Sequence, residues 1–178
     1  MTKILFVCHG NICRSPMCEF AMKDLVRKRG IEAQWEIASA ATTTEEIWGG
    51  KGNPIYPPAR KELLRHGIGT EGNELGVAAK RARLLTARDY DRYDHIIGMD
   101  RENLYDMRDL CKGDPEHKIS LLLDWTGQPR DVADPWYTRN FEATWNDVER
   151  GCEAILEHYS SDLPTMTSRG PVPSMFPE

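Results

Sequence analysis

Four apolar residues, Ile4-Leu5-Phe6-Val7, run straight into Cys8-His9-Gly10-Asn11-Ile12-Cys13-Arg14-Ser15-Pro16, and this junction constrains the chain more than any other stretch. A short apolar run closed by a glycine-containing segment reads as a buried parallel strand. The residues after the junction are helical in pattern, because Cys18, Ala21, Met22 and Leu25 recur at i, i+3, i+4 and i+7. Pro16 suits the first turn of that helix, where its missing N–H has no partner to lose. A strand, a tight turn and a helix N-terminus in succession form a nest of backbone N–H groups suited to an oxyanion. Cys8 at the strand end and Arg14 six residues later then face one bound phosphate from opposite sides.

These residue types define a nucleophilic site. A helix N-terminus and a nearby guanidinium both favour a thiolate over a thiol, and the Ser15 hydroxyl can donate its proton to that thiolate. Arg14 offers a planar fork that holds two phosphate oxygens at once, which a lysine cannot do. Gly10 lets the backbone approach the anion, and Asn11 tolerates the left-handed conformation that a nest requires. The pattern points to attack of Cys8 on phosphorus with a covalent phosphocysteine intermediate. A nucleotide-binding turn is the competing use of such a segment, but the lysine and longer glycine spacing it requires are absent.

Asp134-Pro135-Trp136-Tyr137 supplies a second feature near the other end of the chain. An isolated Asp-Pro is ordinarily a turn former. Paired with the Cys8 segment, Asp134 is the candidate general acid that protonates the leaving alcohol and afterwards activates water. The two stretches, in this order and separation, resemble the Cys-x5-Arg-Ser and Asp-Pro-aromatic-aromatic signatures of the low-molecular-weight protein tyrosine phosphatases. The resemblance runs from residue 3 to about 160, with further matches at Ser39, Trp48, His66-Gly67-Ile68, Met99-Asp100 and Asn103-Leu104.

The resemblance implies a single-domain, three-layer α/β fold. Its four-stranded parallel sheet has the order 2-1-3-4, and a phosphate-binding loop comes after strand 1. It also implies that His9, Gly10, Asn11, Ile12, Cys13 and Ser15 surround the phosphate, and that Asn11, Ser39 and His66 hold the loop in shape. His9 either touches substrate or faces solvent. Trp48, Trp136 and Tyr137 are expected to form an aromatic slot deep enough for a phenyl ring. Phosphoarginine phosphatases of similar loop carry Thr where this chain has the apolar Ile12, which favours phosphotyrosine. An arsenate reductase on the same fold would need a further cysteine pair, and no cysteine lies between Gly67 and Arg108. A non-catalytic phosphate-binding module would not need Cys8, Arg14 and Asp134 together. Two departures stand out: the loop from Thr42 to Pro58 is long, with Pro57-Pro58-Ala59-Arg60 in place of an Asp-x-Arg pattern, and Gly69 to Val77 reads as a modest insertion.

The rest of the chain alternates strand and helix, which predicts a parallel sheet covered on both faces. Strands are expected over Gln34–Ala38, Asp94–Met99 and Ile119–Leu123, and helices over Ala59–His66 and Arg101–Leu110. A long helix is expected over Phe141–Tyr159, with Phe141, Trp145, Val148, Cys152, Ile155 and Tyr159 on one face. Residues 1–163 read as the catalytic domain. Residues 164–178, rich in Pro, Ser and Thr, read as a disordered tail.

With 178 residues the chain can bury a sizeable core. A formal charge of −5 disfavours nucleic acid and membrane surfaces as partners. No apolar run approaches the ~20 residues of a membrane span. Five cysteines, one of them the nucleophile, do not suit a disulfide-stapled secreted scaffold, so the expected location is the cytoplasm. No residues stand at metal-ligand spacing, and no metal or cofactor is expected. Cys13 shares the loop with Cys8 and is the candidate redox partner for it. Cys18, Cys111 and Cys152 read as helical packing residues, and Lys80-Arg81-Ala82-Arg83 as solvated surface. The expected substrate is a phosphotyrosine-containing protein or a small aryl phosphate. Oligomeric state is not encoded in any recognisable pattern.

Overall fold

The computed structural model describes residues 1–161. The tail expected over 164–178 lies outside the described residues. Strand β1 (Thr2–Cys8) carries the apolar run, and Ile4, Leu5, Phe6 and Val7 are all fully buried. Alternation splits them between two layers. Ile4 and Phe6 point into one core cluster, and Leu5 and Val7 into another on the opposite face. This is what a strand without a solvent face requires.

β1 pairs in parallel with β2 (Trp35–Ala41) on one side and with β5 (His95–Gly98) on the other. β5 in turn pairs in parallel with β6 (Ile119–Leu121). The sheet order is therefore β2-β1-β5-β6, the order that the family resemblance implies. Helices α1 (Arg14–Lys28), α2 (Pro57–Arg65) and α6 (Phe141–Ser161) cover the Ile4 and Phe6 face. Helices α3 (Ala87–Arg92) and α4 (Arg101–Leu110) close the Leu5 and Val7 face with Tyr90 and Met107.

Three boundaries differ from expectation. β2 continues three residues past Ala38, so Ser39 is a buried strand residue bonded beside Phe6 rather than the start of a loop. The fourth strand stops at Leu121, where the chain tightens into a 3-10 turn over Leu122–Thr126, and the Asp124 carboxylate accepts the Leu121 N–H. Cys111 caps α4 instead of lying within it.

The long loop after β2 contains a small hairpin, β3 (Ile47–Trp48) and β4 (Lys51–Gly52), joined by Gly49 and Gly50. Both glycines have positive φ, 56° and 76°, as a two-residue turn of the primed type demands. Gly52 lies so close to the backbone of Ala82 that an added Cβ would sit 1.8 Å from its carbonyl oxygen. Among the described residues no helix is long and apolar enough to cross a membrane.

Candidate active site

β1 ends at Cys8 and α1 begins at Arg14, so five residues turn the chain from sheet to helix. Asn11 takes the left-handed conformation there, with φ at 58°. The turn aims the N-terminus of α1 at the Cys8 sulfur, and the Ser15 N–H stands 3.4 Å from Sγ. The Ser15 hydroxyl oxygen lies 3.0 Å from the same sulfur. Because Asn11 Nδ2 already donates to that oxygen at 2.9 Å, its lone proton is left to point at Cys8, the carbonyl of Ala40 at 3.4 Å being the weaker alternative.

Arg14 is almost wholly buried and makes three contacts. Nη1 donates to Asp100 Oδ2 at 2.6 Å and to the Val132 carbonyl at 3.0 Å, and Nη2 reaches Asp134 Oδ2 at 3.3 Å. Burial opposes its charge, but Cys8, Asp134 and Asp100 outweigh burial and push its pKa further up. Each carboxylate is itself fixed. Asp100 caps α4 by accepting the Asn103 N–H, and Asp134 caps the short α5 (Pro135–Thr138) by accepting the Trp136 N–H.

Cys8, Arg14 and Asp134 share one cavity of about 140 Å³ with His9, Gly10, Ile12, Cys13, Glu45, Glu46, Trp136 and Tyr137. Arginine, helix N-terminus and thiol surround a space for a phosphoryl group, and the Asp134 carboxyl lines the same space. The family profile described as "Low molecular weight phosphotyrosine protein phosphatase" matches residues 3–164. The chain belongs to this family.

Within this family, the low molecular weight protein-tyrosine-phosphatase YfkJ of Bacillus subtilis is 37% identical over 158 residues, covering 88% of this chain and 94% of that protein. The human low molecular weight phosphotyrosine protein phosphatase is 35% identical over 163 residues, covering 86% and 93%. The crystal structure of YfkJ superposes with a TM-score of 0.81 at 34% identity, covering 92% of this chain and 98% of that one.

Most of the residues expected at the phosphatase site converge, and two do not. Trp48 is 72% exposed and outside the cavity. Strand alternation is the reason: Ile47 turns towards the core and therefore Trp48, its neighbour on β3, turns out. The wall expected of Trp48 is made by Glu45 and Glu46 instead. His66 is also elsewhere. It stacks on Trp145 with ring centroids 4.1 Å apart, and its Nε2 lies 3.2 Å from Glu62 at the end of α2, so it does not join the network around the loop. His9 lines the cavity, and its Nε2 lies 2.8 Å from Glu45 Oε2.

The network beneath the loop runs from Asn11, Ser15 and Ser39 to Glu19 and Lys80, two residues that no sequence motif marks. Asn11 Nδ2 donates to Ser39 Oγ as well as to Ser15, while its Oδ1 accepts the Arg83 N–H, which fixes the amide's orientation. Ser39 Oγ donates to the buried carboxylate of Glu19, which is also paired with Lys80 at 3.0 Å and Lys23 at 2.7 Å. Lys80 donates a further bond to the Ser39 carbonyl. The basic stretch expected to be solvated surface is thus largely tied in: Lys80 is half-buried and paired with Glu19, Ala82 is core, and Arg83 pairs with Asp89. A basic run gives no warning of this, since only the tertiary fold brings Glu19 beneath it.

Tyr56 is the other residue without a signal of its own. Its ring lies 5.0 Å from that of Trp136, its hydroxyl accepts from Arg139 Nη1 at 3.0 Å, and that guanidinium sits over Trp136. The Tyr56 N–H also binds the Ile12 carbonyl, so the aromatic wall and the phosphate-facing loop are fastened to each other.

Proposed function

We propose that this chain hydrolyses phosphotyrosine monoesters in proteins or small aryl phosphates, with residues 1–163 as the catalytic domain. Cys8 attacks phosphorus, the aryl oxygen leaves, and a phosphocysteine forms. Arg14 and the N–H groups from Gly10 to Ser15 bind the equatorial oxygens, a preorganised electrostatic contribution that needs no metal. Asp134 gives its proton to the departing oxygen and, as a carboxylate, takes one from the water that cleaves the intermediate. Ser15, itself held by Asn11, donates to the thiolate.

The observation that carries this reading is the single cavity in which Cys8, Arg14 and Asp134 meet under Trp136 and Tyr137. An aryl ring can lie against those two aromatics, and Ile12 adds apolar surface to the same cavity. A phosphoarginine would set a guanidinium against the same isoleucine, which has no hydroxyl to receive it. The five cysteines are all unpaired thiols, which supports a cytoplasmic location. The test is steady-state hydrolysis of phosphotyrosine, phosphoserine and phosphoarginine peptides of one sequence by the purified chain. Turnover of the phosphotyrosine peptide alone is expected; preferential turnover of phosphoarginine would replace this reading.

A further inference from the structure

The cavity has two unlike walls. On one side stand Trp136 and Tyr137; on the other stand Glu45 and Glu46, in the place expected of a tryptophan. The acidic wall is not a loose loop. The N–H groups of Thr42 and Thr43 bind the carbonyls of Cys8 and His9, at 3.0 and 3.2 Å, so it is bonded directly to the nucleophile's own segment. Thr43 Oγ1 donates a second bond to the His9 carbonyl and accepts the Glu45 N–H.

The carboxylates themselves are aimed. That of Glu45 is held by the ring of His9, yet its side chain remains 67% exposed and available to a cation. The stem of Glu46 lies over Gly10, where an added Cβ would meet its Cγ at 3.1 Å, and its Oε2 accepts from Asn53 Nδ2. The charges facing this wall do not neutralise it. Arg14 is engaged by Asp100 and Asp134 and turned to the cavity floor. Arg139 is behind Trp136, bonded to Tyr56. Lys51 lies on β4 opposite Trp48 and does not line the cavity.

Resting on the phosphatase reading above, we propose that Glu45 and Glu46 make this a phosphatase for phosphotyrosine flanked by lysine or arginine. The phosphate and ring occupy the floor and the aromatic wall. The neighbouring side chains of the substrate then emerge beside two carboxylates. Cationic neighbours gain an attraction there, and acidic neighbours meet like charges, so discrimination comes from repulsion as much as from attraction.

The experiment compares two phosphotyrosine peptides identical except for lysine or aspartate on both sides of the phosphotyrosine, with p-nitrophenyl phosphate as a third substrate. For the wild-type chain, kcat/KM is expected to favour the lysine peptide by about tenfold at low salt, as several weak exposed charge interactions together allow. The preference should shrink towards twofold at ~0.5 M salt, where screening is short-ranged. The doubly neutralised variant, Glu45→Gln with Glu46→Gln, should lose most of the preference, and Glu45→Lys should move it towards the aspartate peptide. The ratio is internal to each protein, so a partial loss of folded enzyme does not alter it. Equal kcat/KM for both peptides in the wild type overturns the inference, as does a preference that survives the double substitution. If the wild type turns over neither peptide nor p-nitrophenyl phosphate, the phosphatase reading itself is wrong.

Discussion

Nη2 of Arg14 and Oδ2 of Asp134 are 3.3 Å apart, so the arginine read as the phosphate ligand touches the carboxyl read as the proton donor. Its other terminal nitrogen, Nη1, is 2.6 Å from Asp100. The two carboxylates divide the work. Asp100 holds the guanidinium in place, while Asp134, at the longer distance and on the four-residue α5, can exchange that contact for a leaving oxygen. An arginine held from below keeps its orientation when one partner changes.

Loss of the acid should therefore be selective. Asp134→Ala is expected to slow intermediate formation from a phosphotyrosine peptide by ~10²–10⁴-fold, the usual contribution of general acid catalysis. Formation from p-nitrophenyl phosphate should slow much less, because nitrophenolate leaves unaided. Single-turnover kinetics separate this step from hydrolysis of the intermediate, where Asp134 is the proposed base. Equal slowing with both substrates would mean that Asp134 only shapes α5.

Cys8→Ser removes the nucleophile while leaving the α1 N-terminus and Arg14 intact. Turnover should vanish, yet phosphate or vanadate should still bind, as read by calorimetry or a ligand-induced rise in Tm. Residual turnover within tenfold of wild type would rule out the covalent route.

Burial, and then the neighbouring Cys8, push the Cys13 thiol well above its ordinary range, so it rests as a thiol and a poor nucleophile. Peroxide converts the Cys8 thiol to a sulfenic acid, releasing water. Cys13 can then attack the sulfenic sulfur, forming a disulfide and releasing water. Mild peroxide should inactivate the wild type reversibly with dithiothreitol, and Cys13→Ser irreversibly. Identical recovery in the two proteins, measured by activity and intact mass, would leave Cys13 as a packing residue.

The Glu19–Lys80 pair gives a stability prediction with a sign. Burial tends to raise the Glu19 carboxyl pKa, but Lys80, Lys23 and the Ser39 hydroxyl hold it below its ordinary 4.5. A depressed carboxylate stabilises the fold above its unfolded pKa and ceases to do so as pH falls through the folded value. Urea unfolding should thus show a loss of stability below about pH 4.5 that Glu19→Gln flattens. For Lys80, burial outweighs the attraction of Glu19 and lowers the ammonium pKa, so the pair as a whole is worth less than its geometry suggests. Lys80→Met alone, which leaves the buried Glu19 carboxylate with Lys23 and the Ser39 hydroxyl, is expected to cost ~3 kcal/mol. Lys80→Met combined with Glu19→Gln should cost less than Lys80→Met alone.

How far the fold and site are legible in the sequence depends on how local each signal is. The Cys8 loop, the sheet and the long α6 are readable because an apolar run, a helical period and a turn residue are short-range facts. Asp134 is readable only as half of a pair of motifs. Trp48 misleads because a two-residue glycine turn between β3 and β4 sets which face each residue takes, and the lengthened loop conceals that turn. His66 is given a supporting role by the family resemblance alone, whereas in the structure it is Lys80 that braces Ser39 and Glu19. A lysine looks solvated until the fold places Glu19 and the Ser39 carbonyl around its ammonium group.

The last turns of α6 return to the beginnings of the strands. Tyr159 stacks edge-on against Trp35, which opens β2, and bonds to His95, which opens β5. Cys8 stands at the opposite, carboxyl edge of the same sheet. A bulky fluorophore, a surface-immobilising linker or a fused reporter attached after Ser161 is therefore anchored at the far edge of the sheet from the cavity mouth. Peptide kinetics and surface-based binding assays can use that attachment point with the cavity mouth left open to large phosphoproteins.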